Sequence, residues 1–220
     1  MPPRVVAVFA WLAAFLPLMA LVVFLAAYRF DVGRLADLPS IVGDRASSGT
    51  LRLAGLLDMS AYLPVALVAL YLHRRLQARG GELMGIFTFG GLAYVVLGSL
   101  GGAIVATVLP PLVEDGSEIA LTTFAAFSTL VTVTIWSTLE LIFLGTWLIG
   151  IGWLVRAERA AFGNVAVIAG VGALLTAVRS AITGRSVGDL PGVIDFLVVG
   201  LLGLYVPWLA WLGLRLYRER

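Results

Sequence analysis

Hydrophobic positions along this chain come in long unbroken runs, not in strict alternation or in heptads. Residues 5–28 (VVAVFAWLAAFLPLMALVVFLAAY) contain no charge at all. A bilayer core takes about 20 apolar residues at about 1.5 Å of rise each, so this run predicts a first transmembrane helix. It follows Arg4 as a secretory leader would. The apolar stretch, however, exceeds the usual leader core of about 7–15 residues, and no polar cleavage region follows, so the reading is a retained helix bent at Pro17. Residues 29–50 are polar and turn-rich, with room for a short amphipathic helix at the membrane surface. Further spans are predicted over about 52–72, with Pro64 inside, and over about 83–109, ended by Pro110 and Pro111 and followed by the acidic turn VEDGSE. Two more fall at about 162–182 and about 191–216, the latter with Pro207 inside. Residues 119–155 form an apolar run too long for one bilayer core, about 55 Å if helical. They contain no Pro, and no Gly before Gly145, so no turn is signalled and one long helix is expected. Thr122, Thr123, Ser128, Thr129, Thr132 and Thr134 mark its first part as projecting from the membrane or lining the bundle. The expectation is an all-α polytopic membrane protein, a single domain over residues 1–220, built as a six-transmembrane-helix bundle.

Composition sharpens that picture. The chain is 60% hydrophobic and 13% charged, where a soluble domain carries about 25% charge. It cannot cover itself with polar surface in water. There is no Cys and a single His, His73, so Cys-based metal or redox sites and multi-histidine metal or haem sites are excluded. All 15 basic residues are Arg; without Lys there is no Schiff-base chemistry and no retinal linkage. No cofactor is implied. The net charge of +2 gives no footprint for nucleic acid. An Arg-only, Ala/Gly/Val/Leu-rich chain points to a GC-rich bacterial genome, hence to a bacterial cytoplasmic (inner) membrane. With six spans, one face collects Arg4, Arg74, Arg75, Arg79, Arg156, Arg159, Arg215, Arg218 and Arg220. The other collects Arg29, Arg34, Arg45, Arg52, Arg179 and Arg185, and its loop 110–118 holds three acids and no base. The positive-inside rule then puts both termini in the cytoplasm.

Five charged residues fall within or just inside the spans: Arg52, Asp58, Glu140, Arg179 and Asp195. Counting from the cytoplasmic helix ends places them roughly 22–30 Å up, in the outer half of the membrane. A charge at a helix centre costs about 2.5–3.5 kcal/mol on insertion scales. Three acids and two Arg at one depth offset one another if they face inward. The expectation is a polar cluster in which Glu140 or Asp58 lies within ion-pair reach of Arg179 or Arg52. Such a cluster either fixes helix register or binds a small ligand, a lipid headgroup or a proton. Asp195 and Arg52 stand near helix ends, where interfacial water would also accommodate them, and Asp195 near a helix N-terminus suits the dipole. His73 reads as an interfacial residue, and Trp147, Trp153, Trp208 and Trp211, with Tyr71 and Tyr217, as an aromatic belt. The pairs in GELMG (81–85) and GSLGG (98–102), with Ala166, Gly170 and Gly172, read as sites of close helix approach. No GxSxG, P-loop, HExxH, kinase or intramembrane-protease signature is present.

The stretch LRLAGLLDMSAYLPVALVALYLHRRL (51–76), followed by FLGTWLIGIGWLVRAERAAFGNVAVIAGVGALL (143–175), resembles the bacterial membrane family filed as domain of unknown function 4386. Arg52, Leu53 and Asp58 fit that family's Arg-Leu-Gly-x-x-x-Asp-like start to its second span, with Ala54 or Gly55 near the position of its Gly. Gly152, Leu154 and Gly163 match part of the hinge before its fifth span; the family's Pro is absent, and Val206 and Pro207 stand where its last span carries a Glu. The resemblance covers residues 50–220 and implies a six-helix membrane protein with no established activity.

Three function classes fit these residues. The first is a membrane protein whose outer-half polar cluster binds a small-molecule ligand, a membrane lipid headgroup or a proton. The second is a small transporter or channel with the cluster in a water-accessible cavity, lined in part by the Ser and Thr of 122–138. The third is an accessory subunit that assembles with a membrane-protein partner. Catalysis is the least supported class, since no acid/base or metal constellation is visible. A cavity that reaches the cluster favours ligand or transport; a packed, dry cluster favours structure.

Overall fold

The computed structural model describes residues 1–31, 37–186, 197 and 200–219. Among them there is helix and no strand. Helix α1 runs Pro3–Ala27, a short 3-10 turn Leu38–Ile41, α2 Arg45–Gly80, α3 Leu83–Thr107 and α4 Leu109–Asp115. Helix α5 runs without reversal over Glu118–Arg156, α6 over Ala160–Thr183 and α7 over Tyr205–Arg218. Among the described residues, five helical runs are long and apolar enough to cross a membrane: α1, α2, the run Leu83–Asp115, α5 and α6. Most of the first half of the expected span 191–216, Asp195 included, lies outside the described residues.

Local signals explain the boundaries. Pro3 opens α1, where its missing N–H is not needed. Pro110 and Pro111, expected to end a span, instead form the first turn of α4 for the same reason, so the acidic residues Glu114 and Asp115 are helical. Gly116 ends α4 with φ +67°, a left-handed conformation that glycine adopts without a Cβ penalty. Ser117 then caps α5, its hydroxyl accepting from the Ala120 N–H at 3.1 Å. Pro17 and Pro64 lie inside α1 and α2 without ending them. Within α5, residues Leu130–Glu140 wind as π-helix. The Ser137 and Thr138 hydroxyls donate to the carbonyls five residues back, Thr132 and Val133.

The helices pack in a closed order: α1 on α2, α2 on α3, α3 on α5, α5 on α6, α6 on α7 and α7 back on α1. Helix α1 shows what kind of packing this is. Its buried positions are small (Ala7, Ala10, Ala13, Ala14, Ala20), while Val8, Phe15, Met19, Leu21 and Val22 are about half exposed. Small residues inward and large apolar residues outward is the pattern of a bundle solvated by lipid. Glycine pairs serve the same end between α5 and α6: a Cβ on Gly145 would lie 2.8 Å from the Gly170 carbonyl, and one on Gly152 2.7 Å from that of Gly163.

Both termini lie at one end of the bundle. Arg4 stands over the Tyr217 ring, Arg75 pairs with Glu219 at 2.5 Å, and Arg79 pairs with Glu158. At the opposite end Arg29 pairs with Asp44 at 2.6 Å, and Gly43 donates its N–H to the Val113 carbonyl. Trp147 and Trp208 are fully buried, edge to face at 6.1 Å, with Phe162 stacked on Trp208. They belong to the core and not to an aromatic belt, because each fills the space between helices that glycines and alanines leave elsewhere. Trp153 and Tyr217 are the exposed members of that expected belt, at 58% and 53%.

Candidate functional site

A cavity of about 630 Å³ opens at the end of the bundle opposite the termini. Its walls come from α1 (Leu21, Phe24, Leu25), α2 (Ala54, Gly55) and the first half of α5 (Ala125, Ser128, Thr129, Thr132, Val133), with Asp37, Pro39 and Ser186 at the mouth. The deepest lining residue of each helix is Pro17, Asp58 and Trp136, which together make the floor. From Ala125 to Trp136 the cavity follows α5 for about 15 Å. Its volume is that of a small-molecule pocket, about 300–1,000 Å³.

The floor is held by glycines of α3. A Cβ on Gly102 would stand 3.0 Å from Asp58 Oδ2, one on Gly101 2.2 Å from Trp136 Nε1, and one on Gly98 2.1 Å from the Tyr62 ring. The motif GSLGG is therefore a surface on which α2 and α5 rest three functional-type side chains, a close approach that only hydrogen at these positions allows. The other glycine pair, in GELMG, does not act so: a Cβ on Gly85 would meet nothing within 4 Å.

Beneath the floor lies a sealed polar layer. Tyr62 is one turn along α2 from Asp58, on the same face, and Glu140 one turn along α5 from Trp136. The Tyr62 hydroxyl donates to Glu140 Oε1 at 3.0 Å. The Tyr62 ring meets Tyr94 of α3 at 5.3 Å, and Tyr94 meets Tyr205 of α7 at 6.1 Å. All four residues are at most 7% exposed. Asp58 Oδ2, Glu140 Oε2 and Trp136 Nε1 are buried and have no hydrogen-bond partner among the described residues. Unmatched buried polar atoms are costly, about 1–3 kcal/mol each, and concentrate where a structure serves something besides stability.

The expected pairing of acids with arginines is corrected here. Glu140 meets a tyrosine, and the ionisable group acting on it besides Tyr62 is the second acid, Asp58. Arg52 stands 4.0 Å from Glu114 at the open end, both side chains about half exposed. Six residues along a helix is about 600°, so Arg52 and Asp58 project about 120° apart; equal depth did not mean a shared face. Arg179 donates to the Ser186 carbonyl at 3.0 Å near the mouth. Asp195 lies outside the described residues. Of the five charged candidates, Asp58 and Glu140 lie on either side of Tyr62, Asp58 one turn before it on α2 and Glu140 accepting its hydroxyl.

Tyr62, Tyr94, Tyr205 and Trp136 were not singled out from the sequence. The available signal was the Asp58–Tyr62 spacing of four: a tyrosine deep in a span needs a partner for its hydroxyl. His73, read as interfacial, is half-buried with Nδ1 2.8 Å from the Thr88 hydroxyl. No group of three or more metal-ligand residues occurs among the described residues. No protein-family model, no curated protein and no solved structure matches the chain.

Proposed function

We propose that this chain is a six-span membrane protein of a bacterial inner membrane that binds a small ligand in the cavity ending at Asp58, with both termini in the cytoplasm and the cavity mouth outside. The arginine excess at the end that carries the termini supports the orientation. The resemblance to the family of domain of unknown function 4386 rests on Arg52, Leu53 and Asp58 and agrees with the helical class. One observation carries the ligand reading: a preformed, mostly apolar cavity reaches a carboxyl group whose Oδ2 has no partner among the described residues. Pockets with apolar walls and a few convergent polar groups are the usual form of small-molecule sites. The test is a density map of the purified protein in lipid. Ordered non-protein density against Asp58 is the expected result; a cavity closed by α1 packing directly on Asp58 and Trp136 overturns the reading.

A transporter is the second reading, and the π-helical segment of α5 favours it. Such windings are rare and gather at functional sites. This one lines the cavity with Thr132, Val133 and Trp136 and then delivers Glu140 to the sealed layer. A site open at one end and sealed beneath is the arrangement from which alternating access proceeds. Uptake of a labelled ligand into proteoliposomes, absent with binding intact, would leave the binding protein and remove the transporter.

A further inference from the structure

We infer that the cavity takes a cationic nitrogen, or an equivalent monovalent organic cation, carried on an apolar body, with Asp58 as its counter-ion. The inference rests on the ligand-binding reading and adds the chemical class. Three features of the lining agree on the sign of the ligand. First, its ionisable side chains among the described residues are Asp58 at the floor and Asp37 at the mouth, and no Arg or His joins them. Arg52 stands by Glu114, Arg179 donates to the carbonyl of the mouth residue Ser186, and neither they nor Arg185, between Gly184 and Ser186, line the cavity. An anion would meet two carboxyl groups and no compensating charge among the described lining residues.

Second, two of the lining hydroxyl groups, those of Ser128 and Thr132, offer lone pairs and not protons. Ser128 donates to the Ala125 carbonyl at 3.1 Å, and Thr132 to the Ser128 carbonyl at 2.8 Å. Each hydroxyl has one proton and two lone pairs; with the proton committed to the helix backbone, what faces a ligand is an acceptor. Third, Trp136 borders the floor beside Asp58, and its indole nitrogen is turned against Gly101. An indole near a carboxyl group is the strongest aromatic partner for an organic cation. The remaining wall, Pro17, Leu21, Phe24, Leu25, Val105 and Val133, is apolar and suits a hydrophobic body. A small, strongly hydrated metal ion would find too few oxygens here.

The test uses a charge-reversed pair of probes of nearly one shape, tetraphenylphosphonium and tetraphenylborate, with neutral tetraphenylmethane as the third. Binding is measured to the full chain in nanodiscs of phosphatidylglycerol, with empty discs subtracted. Saturable binding of the phosphonium alone is expected. Asp58→Asn should weaken it about tenfold or more, while Asp58→Glu, which keeps the charge, should restore at least part of the affinity. The thermal midpoint of each variant without ligand reports whether it folds. Repeating the measurement with phosphatidylcholine or phosphatidylethanolamine added identifies the source: competition marks a lipid headgroup ammonium, no competition a free organic cation. Equal saturable binding of the borate or the neutral probe, or phosphonium binding unchanged in folded Asp58→Asn, overturns the cation assignment and leaves the ligand site standing. No saturable binding of any probe removes both.

Discussion

Gly98→Ala puts the site's construction to the most direct test. An added Cβ would sit 2.1 Å from two ring carbons of Tyr62 and 2.5 Å from its hydroxyl oxygen. The ring cannot swing freely, because Tyr94 packs against it at 5.3 Å and the residue is 7% exposed. Overpacking of this kind costs about 1–3 kcal/mol. Displacing the hydroxyl also leaves Glu140 Oε1 without its donor, about 1–3 kcal/mol more. Replacing a helical glycine by alanine returns about 0.5–1 kcal/mol. The net expectation is a destabilisation of about 2–4 kcal/mol, read from reversible unfolding of the purified protein in mixed micelles. Gly85→Ala on the same helix is the control: its Cβ would meet nothing within 4 Å, so it should be neutral or slightly stabilising. Adding Tyr62→Leu to Gly98→Ala should recover part of the loss, a coupling that a double-mutant cycle isolates. If Gly98→Ala matches Gly85→Ala within about 0.5 kcal/mol, the close approach of α2 and α3 at Tyr62 is not as described.

Three further expectations follow from other contacts. Glu140→Gln keeps an acceptor for the Tyr62 hydroxyl and should change stability by less than about 1 kcal/mol, whereas Tyr62→Phe strands Glu140 Oε1 and should cost about 1–3 kcal/mol; the reverse order would show that the bond is not what holds the layer. At the terminal end, the Arg79 hydrogen bond holds the exposed Glu158 carboxyl below its usual range. The contribution of that pair is therefore present above the ordinary Glu value of about 4.3 and disappears as pH falls through the lowered one. The difference in thermal midpoint between wild type and Glu158→Gln should shrink on acidification and with salt, and a difference constant from neutral pH to about pH 3 contradicts this. Reporter fusions after residue 219 and at Gly116 should lie on opposite sides of the membrane, since those points are at opposite ends of the bundle; reporters on one side would show that the described helices do not cross as the packing implies.

Much of the helical architecture could be read along the chain, less of the site, and what could not be read has identifiable causes. Long apolar runs announce helices because a span must satisfy its own backbone. The continuity of α5 followed from the absence of any breaker in residues 119–144. The burial of Glu140 followed from its isolation in an apolar segment. Partner choice did not follow. Depth was estimated along the axis, but which side chains meet depends on rotation about it, and Arg52 shows how six residues carry a charge to another face. The π-winding of Leu130–Glu140 leaves no clear mark on composition, yet it shifts the rotation of every residue after it. Trp147 and Trp208 look like interfacial aromatics because their types favour that position. Their actual burial depends on small residues of neighbouring helices, such as Gly91, whose Cβ would lie 3.0 Å from the Trp147 ring.

The cavity has one rigid wall and one less committed wall. On one side α3 fixes α2 and α5 through Gly98, Gly101 and Gly102, so Asp58, Tyr62 and Trp136 are seated on backbone. On the other side stands α1, the least buried of the membrane-length helices, whose large side chains mostly face outward. Access should therefore depend on the gap between α1 and α5, and the absence of native cysteine makes that gap measurable. Thr129→Cys and Ala125→Cys place thiols on the α5 wall; Ser137→Cys, fully buried on the same helix, is the closed control. A membrane-impermeant maleimide needs water to reach the thiol, since the thiolate is the reacting form. In proteoliposomes with the cavity mouth outward, Thr129→Cys and Ala125→Cys should label and Ser137→Cys should not. Tetraphenylphosphonium should slow labelling at the two wall positions. Labelling of Ser137→Cys at a similar rate would mean that water passes the floor and that the layer of Tyr62 and Glu140 is not sealed; silence at all three would mean that lipid, and not water, occupies the cavity.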